Sequence, residues 1–331
     1  MRMPDDFHLH LRSGDMLRAV LPHTMRQFKR AVIMPTTIPP ILTPEDVVAY
    51  RKEILTEAHG SGFEPLMTIQ ITENTKPEII PLAKAVGVVA GKVYPRGMTS
   101  HSENGVADYK AIYPVLRAMQ ECGMLALFHG ESPEPDVFCL DREVKFLGIL
   151  TDIAAEYPGL KIVMEHCTTA AGMERVLKLN HNVVATITVH HLFLTLNDVV
   201  GDKFEPHHFC KPLANRPEDR EKLLIAARSG NRKFFLGTDS VPYLQGAKEC
   251  ASGCEGIYTA PVAIPLLVQL FENIGHLNKL EGFCSRFGAD FYGLPQNTET
   301  IKLVREKWMV PPSYDGVVPF YAGKEIQWQI E

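Results

Sequence analysis

The residues best suited to chemistry begin at the amino end, where the chain reads Asp6-Phe7-His8-Leu9-His10. Alternate residues of a strand project to the same side, so His8 and His10 converge and can share a metal. Four further polar residues each close a short apolar run: Lys92 in Gly91-Lys92-Val93-Tyr94-Pro95, His129 in Phe128-His129-Gly130-Glu131, His166 in Glu165-His166-Cys167, and Asp239 in Gly237-Thr238-Asp239-Ser240. Nitrogen and oxygen ligands without a thiolate suit zinc, and a pair of such ions suits activation of a water for hydrolysis. A lysine ammonium cannot bind a cation. Lys92 can join such a site only as a carbamate, formed with carbon dioxide and stabilised by the charge of the metals. Taken singly these residues have plainer readings: Lys92 as a solvated or ion-paired lysine, Asp239 as a helix cap, His129 as a hydrogen-bonded core residue.

These side chains need elements that bring them together. Eight segments of four to seven residues, rich in Val, Ile, Leu or Phe, read as strands: Phe7–Leu11, Ala31–Met34, Leu66–Ile71, Val88–Val93, Leu125–His129, Lys161–Glu165, Val183–Thr188 and Lys233–Gly237. Between them lie helix-length stretches: Thr43–Ala58, with Thr43 as N-cap and Pro44 at the first helical position, then Pro77–Ala85, Asp108–Cys122, Asp141–Tyr157, Thr169–Leu179 and Arg216–Ser229. Strands apolar on both faces and separated by helices imply a parallel sheet, and eight such units imply an α/β fold of the (β/α)8 TIM-type barrel. An open doubly wound sheet would place a glycine-rich fingerprint after the first strand, where this chain has His-Leu-His-Leu-Arg. No repeat or linker interrupts the pattern, so residues 1–331 are expected to form a single domain. In a parallel barrel the active site lies at the carboxyl ends of the strands, where the six candidate ligands fall.

Composition narrows the partners. With 331 residues, 45% of them hydrophobic, the chain can bury a large core. A net charge of −5 gives no basic excess, so a nucleic-acid partner is not expected. The longest mostly apolar stretch, Tyr258 to Phe271, is broken by Pro261 and Pro265 and is too short to span a bilayer; no membrane association and no signal segment are expected. Seven cysteines without regular pairing intervals fit a reducing compartment, and a cytoplasmic location is expected. Cys250 and Cys254 lack the second pair that a zinc knuckle needs, and the doublets His190-His191 and His207-His208 read as structural or surface residues.

In sequence order, His-Leu-His-Leu-Arg12, Met34-Pro-Thr36, Lys92-Val-Tyr-Pro, His129-Gly-Glu, Glu165-His166-Cys-Thr-Thr and Phe235-Leu-Gly-Thr-Asp239-Ser together resemble the dihydroorotases, of the single-function homodimeric type in the amidohydrolase superfamily. The resemblance runs on through Ala185-Thr-Ile-Thr-Val-His-His-Leu, Phe209-Cys-Lys-Pro, Phe291-Tyr-Gly-Leu and Val318-Pro-Phe-Tyr-Ala-Gly, and so covers almost the whole chain. It implies a homodimeric enzyme that interconverts N-carbamoyl-L-aspartate and L-dihydroorotate in pyrimidine synthesis, with two zinc ions per chain. By the same resemblance His8, His10 and Asp239 bind one ion, His129 and His166 bind the other, and carboxylated Lys92 bridges them. Asp239 carries the proton between water and the departing nitrogen. Arg12 matches the arginine that holds the substrate carboxylate, and Thr99 and Ser100 lie in a loop that closes over the substrate.

The chain departs from the family pattern in this pocket. Thr36 stands where an asparagine is usual, Tyr243 where a histidine is usual, and Glu255 where a small residue is usual. Thr36 and Tyr243 still offer hydrogen bonds to the substrate, but the pocket loses a group able to carry positive charge. A second expectation follows: a binuclear hydrolase of another cyclic amide or imide. A third, a non-catalytic paralogue, is disfavoured by the complete ligand set.

Overall fold

The computed structural model describes residues 1–99 and 102–331. Eight parallel strands lie in sequence order: β1 Asp5–Leu9, β2 Arg30–Ile33, β3 Glu64–Ile71, β4 Ala90–Val93, β5 Leu125–His129, β6 Ile162–Glu165, β7 Val183–Ile187 and β8 Phe234–Leu236. The ring is closed just past the end of β8, where Asp239 N–H donates to the His8 carbonyl at 2.9 Å and His10 N–H donates to the Ser240 carbonyl at 3.2 Å. All eight expected strands are present, with ends that differ by up to two residues.

The principal helices follow the strands one by one: α1 Gly14–Met25, α2 Pro44–Glu57, α3 Ile79–Ala85, α4 Tyr113–Cys122, α5 Arg142–Glu156, α6 Ala170–Lys178, α7 Pro217–Arg228 and α8 Ala263–Asn273. The capping signal at α2 is realised. Thr43 Oγ1 accepts from Asp46 N–H at 3.2 Å and the Asp46 carboxylate accepts from Thr43 N–H at 2.9 Å. The Asp108–Cys122 stretch divides into a 3-10 turn, Tyr109–Ile112, and α4. Helices α1 and α8 were not expected from the sequence, because Gly14 opens α1, Pro22 lies within it, and Pro265 sits in the first turn of α8. A first-turn proline removes an N–H that has no partner within the helix, so α8 tolerates it.

Two apolar clusters explain why the strands are hydrophobic on both faces. One fills the barrel with side chains from alternate positions, among them Phe7, Val32, Leu66, Ala90, Leu127, Val163, Val184 and Phe235. Its lower end is covered by the late helix Phe287–Tyr292, whose Tyr292 ring stands 4.8 Å from that of Phe7. The other packs the outer strand faces against the helices. Strand β1 has a register irregularity between Asp6 and Leu9. It lets Phe7 fill the barrel interior while His8 and His10 meet over its upper end, so β1 ends two residues sooner than Phe7–Leu11 would have it. Among the described residues no helix is long and apolar enough to cross a membrane.

Candidate active site

The carboxyl ends of the strands deliver the chemistry-bearing residues to one place. His8 lies in β1 with His10 one residue past it, Lys92 is in β4, His129 ends β5, His166 follows β6, and Asp239 follows β8. Three residues here have left-handed backbone: Arg12 at φ 60°, His166 at φ 42° and Asp239 at φ 46°. Such a conformation costs a non-glycine residue roughly 1–2 kcal/mol. The surrounding bonds hold it: Tyr50 Oη donates to the Arg12 carbonyl at 2.6 Å, His166 N–H donates to Thr186 Oγ1 at 2.8 Å, and Asp239 N–H is tied to β1.

Three ligand atoms converge. His8 Nε2 and His10 Nε2 are 3.3 Å apart and lie 3.2 and 3.3 Å from Asp239 Oδ1. The opposite nitrogen of His10 is held by a neighbour, with Nδ1 2.6 Å from Thr36 Oγ1, whereas His8 Nδ1 lies 3.1 Å from Glu165 Oε1 without a hydrogen bond between them. In the tautomer that leaves the His10 Nε2 lone pair free for a cation, its Nδ1–H donates to Thr36 Oγ1, the arrangement by which a second layer orients a metal-binding histidine. A second group of donor atoms comprises His8, Glu165 and His166, with His166 Nδ1 buried and without a hydrogen-bond partner. The His166 ring stands 5.0 Å from His8 and 4.6 Å from His129. His129 Nε2 meets Glu131 Oε2 at 2.6 Å.

Several plainer readings can be judged against this geometry. Lys92 is not solvated: it is fully buried, with Nζ bonded to Glu165 Oε2 and lying 4.8 Å from the centre of the Tyr94 ring. Asp239 faces two histidines and caps no helix. Arg12 pairs with neither Asp15, which binds Arg18, nor Asp6, which accepts from Thr238 N–H and Oγ1. His190 and His191 are buried beside Cys210, where His191 is satisfied by Thr188 Oγ1 and the Pro212 carbonyl; His207 pairs with Glu249.

Known proteins with this architecture share its sequence as well. A dihydroorotase from Neisseria meningitidis serogroup B is 47% identical over 336 residues, 99% of this chain and 97% of its own length. The chain belongs to the dihydroorotase family. Its class is therefore that of the cyclic amide hydrolases. A Campylobacter jejuni dihydroorotase superposes with a TM-score of 0.93 at 38% identity, covering 100% of this chain and 96% of that one. A Saccharomyces cerevisiae dihydroorotase, solved in complex with 5-fluoroorotic acid, gives 0.93 at 34% identity, covering 100% and 97%. No protein-family model matches the sequence.

The dihydroorotase site opens into a cavity of about 40 Å³, room for a few waters. Its walls include His8, His10, Arg12, Thr36, Thr99, His129, His166, Asp239, Tyr243 and Glu255. Ser100 lies outside the described residues. Arg12 donates from Nη1 to the Thr36 carbonyl at 3.3 Å and from Nε to the Pro242 carbonyl at 3.5 Å, and its guanidinium carbon lies 4.6 Å from the centre of the Tyr243 ring. Thr36 therefore has two ties in this pocket, its carbonyl to Arg12 and its hydroxyl oxygen to His10.

Burial sets the protonation states of this dihydroorotase site. It lowers the His8, His129 and His166 imidazoles and takes His10 down to about 3, so all four are neutral near pH 7. Burial would raise Asp239, but the His8, His10 and His166 rings outweigh it and hold the carboxyl well below the usual range. Burial likewise drives the Lys92 amine well below its usual value, against the pull of Asp239. Neutral imidazoles and an ionised carboxylate are the states that a cation needs.

Sequence reasoning did not single out Glu165, Glu131, Tyr94 or Lys211, although Tyr94 and Lys211 also line the cavity. Glu165 and Glu131 stand inside the motifs themselves, each next to or two residues from a candidate ligand. Acids buried at strand ends next to histidines were the available signal.

Proposed function

We propose that this site opens and closes the ring amide linking L-dihydroorotate and N-carbamoyl-L-aspartate, and that it does so with two zinc ions per chain. The observation that carries the reading is the convergence of His8 Nε2, His10 Nε2 and Asp239 Oδ1 at the barrel mouth, on the same cavity as Arg12. His8, His10 and Asp239 would hold one ion and His129 and His166 the other. The buried, unpartnered His166 Nδ1 and the neutral imidazoles fit such a role. Lys92 would bridge as a carbamate: its neutral amine adds to carbon dioxide, forming one N–C bond and releasing one proton. When bound, the ions supply Lewis acidity, making a water nucleophilic at neutral pH and withdrawing electron density from an amide carbonyl.

The remaining steps belong to the chain. Arg12 binds the substrate carboxylate, since paired guanidinium donors fit both oxygens. Thr36 orients His10 through its Nδ1 atom, and the Glu165 carboxylate lies beside the His8 ring. In the hydrolytic direction Asp239 accepts the proton of the attacking water and returns it to the ring nitrogen as the amide C–N bond breaks; ring closure runs the same transfers in reverse. Thr99 contributes a hydroxyl donor from the cavity wall. Tyr243 and Glu255 complete the substrate contacts. A cytoplasmic homodimer acting on a small molecule, without nucleic acid or membrane, accords with this reading.

The deciding experiment is a rate assay with dihydroorotate and N-carbamoyl-aspartate, beside hydantoins, dihydrouracil and cyclic imides, after loading with zinc and bicarbonate. Preference for the first pair is expected. A phenol and a carboxylate on the cavity wall, at Tyr243 and Glu255, favour the second reading, another cyclic amide or imide, if an uncharged ring proves the faster substrate.

A further inference from the structure

Arg12 and Tyr243 face two chambers. Beyond the reaction cavity lies a larger one of about 310 Å³, whose other walls include Met16, Ile38, Leu244 and Ala247. Ile38 and Leu244 are 75% and 53% exposed. A solvated patch of aliphatic side chains at the edge of a site is a feature that marks ligand or partner binding. The two chambers share Arg12, Thr36 and Tyr243, so the guanidinium stands at their junction. Among the described residues its hydrogen bonds are the two long ones to the Thr36 and Pro242 carbonyls, made by Nη1 and Nε. A guanidinium has five N–H donors, so donors remain for an anion. An apolar trough that ends on a guanidinium complements a molecule with a carboxylate at one end and an apolar body behind it.

We propose that this annex binds amphipathic monocarboxylates, acids with an alkyl or aryl body, with the carboxylate on Arg12 and the body against Met16, Ile38 and Leu244. Such acids compete with the substrate for Arg12 without entering the reaction cavity, and the Tyr243 ring beside Arg12 forms the partition between the chambers. The inference rests on the reading of Arg12 as the carboxylate-binding residue.

The test is calorimetric titration of the full, zinc-loaded chain with acetate, butyrate, hexanoate and benzoate, beside alcohols of matching length. The dissociation constant of the acids is expected to fall about two- to fourfold per methylene as each is buried, with the alcohols at least about tenfold weaker. Ala247→Phe, which fills the annex from outside the reaction machinery, is expected to abolish the chain-length dependence and leave acetate binding and the substrate KM unchanged. Should that variant fail to fold, Leu244→Ser serves instead, with hexanoate weakened several-fold and acetate unaffected. If acetate binds but longer acids bind no better, or if the variant that folds leaves hexanoate binding intact, the annex proposal is overturned while the role of Arg12 stands. Equal binding of acids and alcohols would overturn both.

Discussion

Lys92 Nζ is hydrogen-bonded to Glu165 Oε2 inside the barrel with neither side chain exposed, and the second oxygen of that carboxylate lies 3.1 Å from His8 Nδ1. The contact therefore brings β4, β6 and β1 together among the candidate metal ligands themselves. If Lys92 is converted to a carbamate, its nitrogen no longer offers Glu165 an amine, and His8 Nδ1 is left as the neighbour of that carboxylate.

Lys92→Ala is expected to abolish turnover and to lower the zinc content from about two ions per chain. Short carboxylic acids added in solution should restore part of the activity, because a small carboxylate can take the bridging place. Metal analysis of chelator-free protein and electron density beyond Lys92 Nζ are the checks. Active wild-type protein with no bound metal would refute the assignment.

Asp239→Asn should keep the barrel folded, since the backbone bond of residue 239 to His8 is untouched, while turnover falls by about two orders of magnitude or more. Near-normal turnover would mean that another group carries the proton.

Thr36→Val removes the oxygen that holds His10 Nδ1 at 2.6 Å. Zinc affinity is expected to drop by about ten- to a hundredfold, the usual cost of losing a partner that orients a ligand. Competition with a chromogenic chelator measures it, and unchanged affinity would show that the Thr36 bond does no orienting.

The paired change Thr36→Asn with Tyr243→His gives Arg12 the neighbours usual in the family. An asparagine amide oxygen can still accept from His10 Nδ1–H, unlike the valine side chain, so KM for dihydroorotate should fall with little change in kcat, as when binding improves equally in ground and transition states. No gain in the variant, together with faster hydrolysis of an uncharged imide by the native chain, would move the substrate to the second reading.

The pH dependence of stability follows from burial. His10, at about 3 when folded against about 6.5 unfolded, binds fewer protons in the folded state, as do His8, His129 and His166. Their contribution is complete above about pH 6.5 and is lost as pH falls below it. Asp6 acts oppositely: burial raises it to about 6, so its proton stabilises the fold as pH falls from about 6 toward 4. Buried His190 and His191 are lowered as well and Glu143 is raised as Asp6 is, so the lowered histidines outnumber the raised acids. The metal-free protein should lose more than about 1 kcal/mol of unfolding free energy per pH unit between pH 6.5 and 5, measured by denaturant titration in chelator. A flat profile would contradict the buried, neutral state of the histidines.

The sequence by itself determined the architecture and the type of site. Apolar runs such as Leu125–Phe128 and Val183–Ile187 are buried on both faces, so their hydrophobicity reports a parallel strand whatever its neighbours. The polar residue that ends each run falls at a carboxyl end, so the placement of His129 or Asp239 was legible from order alone. Helices α1 and α8 were not, because a glycine and prolines mask a helix that packing against the barrel stabilises. Tertiary structure alone decided the partnerships: Thr36 on His10, Glu165 between His8 and Lys92, Arg12 over Tyr243. Each joins residues at or past the ends of separate strands, which meet only where the barrel gathers those ends together. Local periodicity reports which way a side chain points, whereas closure of the barrel sets what it meets.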